Sequence, residues 1–243
     1  MTSFLKCTIF AAITVGSLQR ASAASIYTAE HGDLGIAYEG GALEPHYHLG
    51  PAAIVDGSPV GNAPDGMEFA PDELITFVAD PSVARPAGAQ WNFLGSASGA
   101  PIWFLPQAED SGKPFFGIAS EELTPGDWTV LSLSLTGMNG PAGGHFSLYQ
   151  TDGFGSPIVQ FATSDGITGT DSYNLIIGGH AHYNWAFTEP GIYELEFTVS
   201  GTHASDGFKT ASATYTFGVT QVPEPGSSAL GLLAAGALLG RRR

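Results

Sequence analysis

The stretch GIYELEFTVSGT, residues 191–202, decides the fold because apolar and polar side chains alternate along it. Alternation with a period of two is typical of a β-strand with one buried face. The stretch ASATYTFGVT (211–220) repeats the pattern, and the intervening HASDGFK is rich in turn-forming residues. The two stretches therefore predict an antiparallel hairpin whose core-facing residues are Tyr193, Leu195, Phe197, Val199, Tyr215, Phe217 and Val219.

The same short, alternating runs between turn residues recur along the body of the chain and predict an all-β, antiparallel β-sandwich of Ig-like or jelly-roll type with eight to ten strands. A short helix over residues 119–123 and a long surface loop over 50–72 are also expected. Predicted strands and hairpins lie at 33–40, 73–80, 128–137 and 144–163, and APIWFLPQ (100–107) is expected to pair with PFFGIAS (114–120).

Residues 1–23 predict a signal peptide with a hydrophobic helix. MTSFLK carries Lys6, CTIFAAITVGSL is an apolar run of about a dozen residues, and Ala21-Ser22-Ala23 matches an A-x-A cleavage site. Cleavage would remove Cys7, the only cysteine. The exported protein is therefore expected to have neither disulfides nor a thiol nucleophile.

Residues 221–243 contain Pro223-Glu224-Pro225, then an apolar run over 227–240, then Arg241 to Arg243. As a helix the run is about 21 Å long, short of the roughly 30 Å of a hydrocarbon core. In this order the three features resemble the PEP-CTERM sorting signal of Gram-negative bacteria. The resemblance implies transient membrane anchoring, processing by an exosortase-type membrane protease, and delivery to the envelope, cell surface or extracellular matrix. A plain C-terminal membrane anchor is the alternative.

The body between these segments, residues 24–220, is strongly acidic. It keeps three basic residues, Arg85, Lys113 and Lys209, against 22 acidic ones, a net charge of −19. Nucleic-acid binding needs clustered lysine and arginine, so no nucleic-acid partner is expected. The negative charge would also repel anionic lipid and attract cations.

Two His-x-His pairs are the candidate site. His46 and His48 lie in EPHYHLG (44–50), and His180 and His182 lie in GGHAHYNWAF (178–187). Residues i and i+2 of a strand share a face. If the pairs occupy adjacent strands, they supply four nitrogen ligands for a transition metal such as Zn²⁺ or Cu²⁺, with Fe²⁺ and Ni²⁺ also suited.

Three nearby residues fit the same hypothesis: His31 as an added or replacement ligand, and Asp33 and Glu44 as carboxylates that orient imidazoles. The alternative is that the histidines are structural, hydrogen-bonded to backbone carbonyls and packed on aromatic rings. Both interpretations stay open from the sequence. Weaker candidates are calcium at the Asp-Gly turns 151–153 and 164–171, and a sugar-binding platform formed by Trp91, Trp103 and Trp128.

The body also resembles a known surface module. HGDLGIAYEGGALEPHYH (31–48), WNFLGSASGAPIWFLPQ (91–107), GHFSLYQTDGFGSPIVQFATSDGI (144–167) and HAHYNWAFTEPGIYE (180–194) follow one another in the order of the choice-of-anchor M domain. The resemblance implies an extracellular, anchored protein. Actinobacterial relatives of that family accompany transporters that look like metal importers.

Three functions follow from these patterns. The first is a non-catalytic envelope module that binds a partner or a transition metal through the histidines. The second is a purely structural component of the extracellular matrix or biofilm. The third, a cupin-like metal-dependent enzyme, is disfavoured because no glutamate follows His46 and His48 at the needed spacing. GSASG (95–99) has Ala97 at its centre, the position that serine occupies in a nucleophile elbow.

Overall fold

The structure is a computed structural model that describes residues 24–222. The predicted signal peptide and the segment from residue 223 onward lie outside the described residues. Within 24–222 the chain forms seventeen β-strands and two short 3₁₀ helices. No helix in this range is long and apolar enough to cross a membrane.

The elements follow one another along the chain with short connections. The 3₁₀ helices are Ala89–Leu94 and Thr163–Asp165. The strands are β1 (Ser25–Glu39), β2 (Ala42–Leu49), β3 (Ile54–Val55), β4 (Ser58–Pro59), β5 (Met67–Phe69), β6 (Leu74–Val78), β7 (Val83–Ala84), β8 (Pro101–Leu105), β9 (Pro114–Ala119), β10 (Trp128–Asn139), β11 (Phe146–Thr151), β12 (Pro157–Ala162), β13 (Ser172–Asn174), β14 (His180–His182), β15 (Asn184–Phe187), β16 (Gly191–His203) and β17 (Gly207–Val219).

The strands form two sheets that pack face to face. The larger, twelve-stranded sheet runs β13-β10-β16-β17-β6-β1-β2-β5, with β9 paired to β1 and β14 paired to β9. The smaller sheet runs β12-β11-β15-β8-β7. The fold is thus an all-β sandwich, as the alternating pattern predicts, although its strands outnumber the eight to ten expected.

The core between the sheets is largely aromatic. Trp185 of the smaller sheet is fully buried, and its ring lies 5.3 Å from that of Phe217 and 5.1 Å from that of Phe116, both in the larger sheet. The indole N–H donates to the Phe116 carbonyl at 2.8 Å, so this large side chain is buried without an unsatisfied donor. Trp185 therefore joins the two sheets through both packing and a hydrogen bond.

The hairpin that decides the fold forms as predicted. β16 and β17 pair from Gly191↔Val219 to His203↔Gly207. Each core-facing residue that the alternation predicts is buried to 1% exposure or less: Tyr193, Leu195, Phe197, Val199, Tyr215, Phe217 and Val219.

Two local predictions are wrong. β8 and β9 do not pair with each other, because the eight residues between them carry the chain from the smaller sheet to the larger one, where β9 pairs with β1 and β14. Residues 119–123 form no helix; they are the end of β9 and a turn. The region 50–72 is mostly loop but contributes the short strands β3, β4 and β5.

Strand β1 lies at the centre of the part of the larger sheet that carries the candidate site residues. Its first residues pair with β6, residues 32–39 pair with β2, and residues 30–35 pair with β9, so that 32–35 lie between β2 and β9. Leu34 and Ile36 face the core, fully buried. The intervening residues therefore face outward, and two of the outward positions on β1 and β9 are Gly35 and Gly117.

We expect Gly117→Ala to destabilise the protein, because a Cβ at this position would overlap Oδ1 of the buried Asp33 and come 3.0 Å from the Ala181 carbonyl oxygen. Overpacking of this kind costs about 1–3 kcal/mol of unfolding free energy. Urea unfolding followed by tryptophan fluorescence measures the change. Gly169→Ala is the matched control, since a Cβ there meets nothing within 4 Å. Equal stabilities for the two variants would contradict the prediction.

Candidate metal centre

The His-x-His pairs lie on the outer face of the larger sheet, in strands that flank β1 and β9. The order is β2-β1-β9-β14, and strand registers place the histidines in two rows. Adjacent strands are about 4.8 Å apart, which separates the β2 and β14 backbones by about 14 Å. The rows are His48–Asp33–Gly117–His182 and His46–Gly35–Ala119–His180.

The four histidines therefore do not meet at one point, because β1 and β9 lie between β2 and β14 and the condition of adjacent strands is not met. The structure instead completes each pair with one further residue. In each group, one potential ligand atom per residue lies within 4.8 Å of the others. We call them the three-histidine group (His31, His180, His182) and the two-histidine group (His46, His48, Glu122). Metal binding by either group stays a prediction.

In the three-histidine group the imidazoles surround a common point. The His31 ring lies 5.1 Å from the His182 ring and 5.9 Å from the His180 ring, and His180 and His182 are 5.5 Å apart. The His182 ring stacks on Phe115, with centroids 3.5 Å apart and planes 5° apart. This stacking holds one imidazole in a fixed plane, while the His31 and His180 side chains are 44% and 39% exposed.

His182 is the least usual of the three. Both of its ring nitrogens are buried and have no hydrogen-bond partner. Burial, and then the neighbouring His31 and His180, lower the pKa of His182 to about 3. The ring is therefore neutral at neutral pH and carries a free lone pair, the form in which histidine binds a metal.

A carboxylate orients the third imidazole. Nδ1 of His180 lies 2.7 Å from Oε1 of Glu121, in the turn after β9. With Nδ1–H donated to the carboxylate, Nε2 of His180 keeps its lone pair, an arrangement common among metal-binding histidines. Burial, and then His180, lower the pKa of His31, which also favours its neutral form.

The two-histidine group lies at the other side of β1. Oε1 of Glu122 is 3.0 Å from Nε2 of His46 and 3.8 Å from Nδ1 of His48. The group needs Gly35, because a Cβ there would come 2.5 Å from Nε2 of His46. The His46 ring thus lies across the neighbouring strand, in space that a side chain on β1 would fill.

Asp33 lies in the row between His48 and His182. It is 2% exposed, its Oδ1 has no hydrogen-bond partner, and its Oδ2 is 3.5 Å from Nε2 of His31. Burial is the main cause that raises the pKa of Asp33 to about 7, an effect that His180 partly opposes. At neutral pH this carboxyl group is therefore protonated in a fraction of the protein molecules.

The sequence analysis did not predict that Glu121 and Glu122 belong to the candidate site. The signal that could have indicated them is a pair of glutamates directly after a predicted strand. Treating residues 119–123 as a helix obscured it. Asp33 approaches His31 to 3.5 Å, and its role in orienting an imidazole stays a prediction. Glu44 contributes its backbone carbonyl, 3.1 Å from Nδ1 of His46, rather than its carboxylate.

The residues of the weaker candidate sites make structural contacts in this fold. Trp91, Trp103 and Trp128 are 8%, 9% and 5% exposed, so they form no surface platform for a sugar. Asp152 accepts the backbone N–H groups of Phe154 and Ser156 in the β11–β12 turn. In the second segment Asp171 accepts the backbone N–H groups of Ala162 and Thr168. Both segments therefore hold a carboxylate that binds nearby backbone, and calcium binding there stays a prediction.

Comparison with known proteins identifies the C-terminal segment. Residues 221–243 match the model of the PEP-CTERM protein-sorting motif. The protein is therefore an exported, exosortase-processed protein sorted to the bacterial cell surface, with membrane association of its C-terminus. No curated protein and no solved structure matches the chain. The resemblance of the body to choice-of-anchor M domains stays a prediction.

We expect Asp33→Asn to stabilise the metal-free protein more at about pH 8 than at about pH 5. The pKa of Asp33 is raised from 3.8 to about 7, so the folded state holds a proton that the unfolded chain releases between these values. The contribution of Asp33 to stability therefore falls as pH rises through this window, and asparagine, which does not ionise, abolishes the fall. Urea unfolding of both proteins in chelator measures it; a difference that is independent of pH would contradict the assignment.

Proposed function

We propose that the folded body is a non-catalytic surface module that binds a transition-metal ion through the three-histidine group. The observation that supports this is the convergence of three imidazoles whose ligand atoms lie within 4.8 Å of one another. One of them, His182, is neutral and has no hydrogen-bond partner for either buried nitrogen. A buried polar atom without a partner is costly, and coordination to a metal would satisfy the free lone pair.

The donor set selects the class of ion. Three neutral imidazoles suit Zn²⁺, Cu²⁺ and Ni²⁺, while carboxylate-preferring Ca²⁺ and Mg²⁺ are poorly matched. Three protein ligands leave at least one coordination position for water or an external ligand. The partial exposure of His31 and His180 lets an ion enter from solvent, and the net charge of the body favours cations over anions near the surface.

The cellular setting fits such a module. The sorting motif delivers the body to the cell surface, and we propose that residues 24–220 are a choice-of-anchor M domain, with 1–23 removed as a signal peptide. We further propose that the cell is Gram-negative and that the mature protein resides in the envelope or the extracellular matrix. A metal-binding surface protein in that position would hold ions outside the membrane for a partner or for uptake.

The first test is the metal content of residues 24–222, which contain every residue of both apolar core clusters. The protein is purified without a His tag, incubated with Zn²⁺ or Cu²⁺, dialysed and analysed by elemental mass spectrometry. We expect His31→Asn/His180→Asn to lose one bound ion per chain, because two of three ligands are removed at partly exposed positions where folding is little disturbed.

His145→Asn is the control, since His145 belongs to neither group, and its metal content should match the unmodified protein. Unchanged metal content in His31→Asn/His180→Asn would contradict the proposal for this group. If no ion binds to the unmodified protein at all, the histidines are structural, and the matrix component becomes the better description.

A further inference from the structure

The two-histidine group is a second cluster of potential ligands. Its geometry does not depend on the function proposed above for the three-histidine group. His46 and His48 lie on the outer face of β2, and Glu122 reaches them from the turn that follows β9. The three residues thus come from two segments far apart in the chain. Their ligand atoms nevertheless lie within 4.8 Å of one another.

Each imidazole has one nitrogen bound to a backbone carbonyl. Nδ1 of His46 lies 3.1 Å from the Glu44 oxygen, and Nε2 of His48 lies 3.1 Å from the Asp65 oxygen. A carbonyl only accepts, so these nitrogens are the donors of the two hydrogen bonds. The opposite nitrogens, Nε2 of His46 and Nδ1 of His48, both face Glu122.

The free nitrogen of His46 is the second observation that points to a ligand. His46 is 8% exposed, and its Nε2 has no hydrogen-bond partner. Oε1 of Glu122 is 3.0 Å away but is not aligned for a hydrogen bond. Two atoms that each bind one zinc ion at about 2.1 Å in tetrahedral geometry are about 3.4 Å apart. The distances from Oε1 of Glu122 to Nε2 of His46 and Nδ1 of His48, 3.0 Å and 3.8 Å, lie on either side of that value.

Space and charge beside the group also favour an ion. A pocket of about 430 Å³ adjoins His48 and Glu122, and its lining includes Asn62, Asp65 and Glu68. The pocket leaves room for water to complete the coordination of an ion held by three protein ligands. No lysine or arginine lines it, so no permanently positive side chain competes there for the Glu122 carboxylate.

We propose that His46, His48 and Glu122 form a second metal site, distinct from the three-histidine group, with Nε2 of His46, Nδ1 of His48 and a carboxylate oxygen of Glu122 as ligands. Two imidazoles and one carboxylate form a donor set typical of Zn²⁺ sites that keep an open position. The protein then binds two ions per chain, one at a neutral three-nitrogen site and one at a site with a negative ligand.

The test uses residues 24–222 carrying His31→Asn/His180→Asn, so that the three-histidine group is disabled and only the second site is measured. Zn²⁺ is titrated by calorimetry, and Co²⁺ is titrated while its visible absorption is recorded. We expect one ion to bind, and we expect addition of Glu122→Gln to weaken binding by more than about 100-fold, since changes outside the ligand shell alone cost about 10- to 100-fold.

Two controls use the same change of charge at neighbouring glutamates. Glu121→Gln tests the adjacent residue, and Glu44→Gln tests a carboxylate on the same strand as His46; neither should alter binding in this background. Thermal unfolding of the metal-free variants checks that each is folded. Equal weakening by all three substitutions would show a general effect of surface charge and overturn the site.

Nitrogen-15 NMR of the imidazoles gives a readout that does not rely on a variant. In metal-free protein we expect His46 to be protonated on Nδ1 and His48 on Nε2, and Zn²⁺ should shift the resonances of the two opposite nitrogens. A doubly protonated His46 that pairs with Glu122 and does not respond to Zn²⁺ would show an ordinary ion pair instead. Because the three-histidine group is absent from the calorimetric test, failure there leaves the function proposed above untouched.

Discussion

The register of β1 between β2 and β9 is the constraint on which the outer face of the larger sheet depends. Leu34 and Ile36 are fully buried, and a shift of one residue would turn them toward solvent and bring Asp33 into the core. The burial of Leu34 and Ile36 in the core thus fixes the register of β1. With it, His46 lies opposite Gly35, and Asp33 lies opposite Gly117, so packing on one face determines which polar groups meet on the other.

Two glycines shape this face as much as the histidines do. Gly35 leaves room for the ring of His46, and Gly117 leaves room for Asp33 and His182. Because of these gaps, Asp33 and His46 are buried on the outer face of the sheet. Burial in turn lowers the pKa of His182 and raises that of Asp33. Both groups are thereby shifted toward their neutral forms.

Two adjacent glutamates in one turn serve the two groups. Glu121 contacts His180, and Glu122 contacts His46 and His48. This turn follows β9, the strand that pairs with both β1 and β14. The turn is therefore placed over the face by the central strands of the same four-stranded region.

The sequence by itself determined the fold class, the long β16–β17 hairpin with its core residues, and the sorting of the protein, because alternation and a short signal are local properties. It also showed that each His-x-His pair shares one face of a strand. Only the tertiary structure decided that β1 and β9 separate the pairs, that β8 and β9 belong to different sheets, and that His31 and Glu122 complete the two groups. Strand order and turn placement depend on contacts between residues distant in the chain, and no local pattern encodes them.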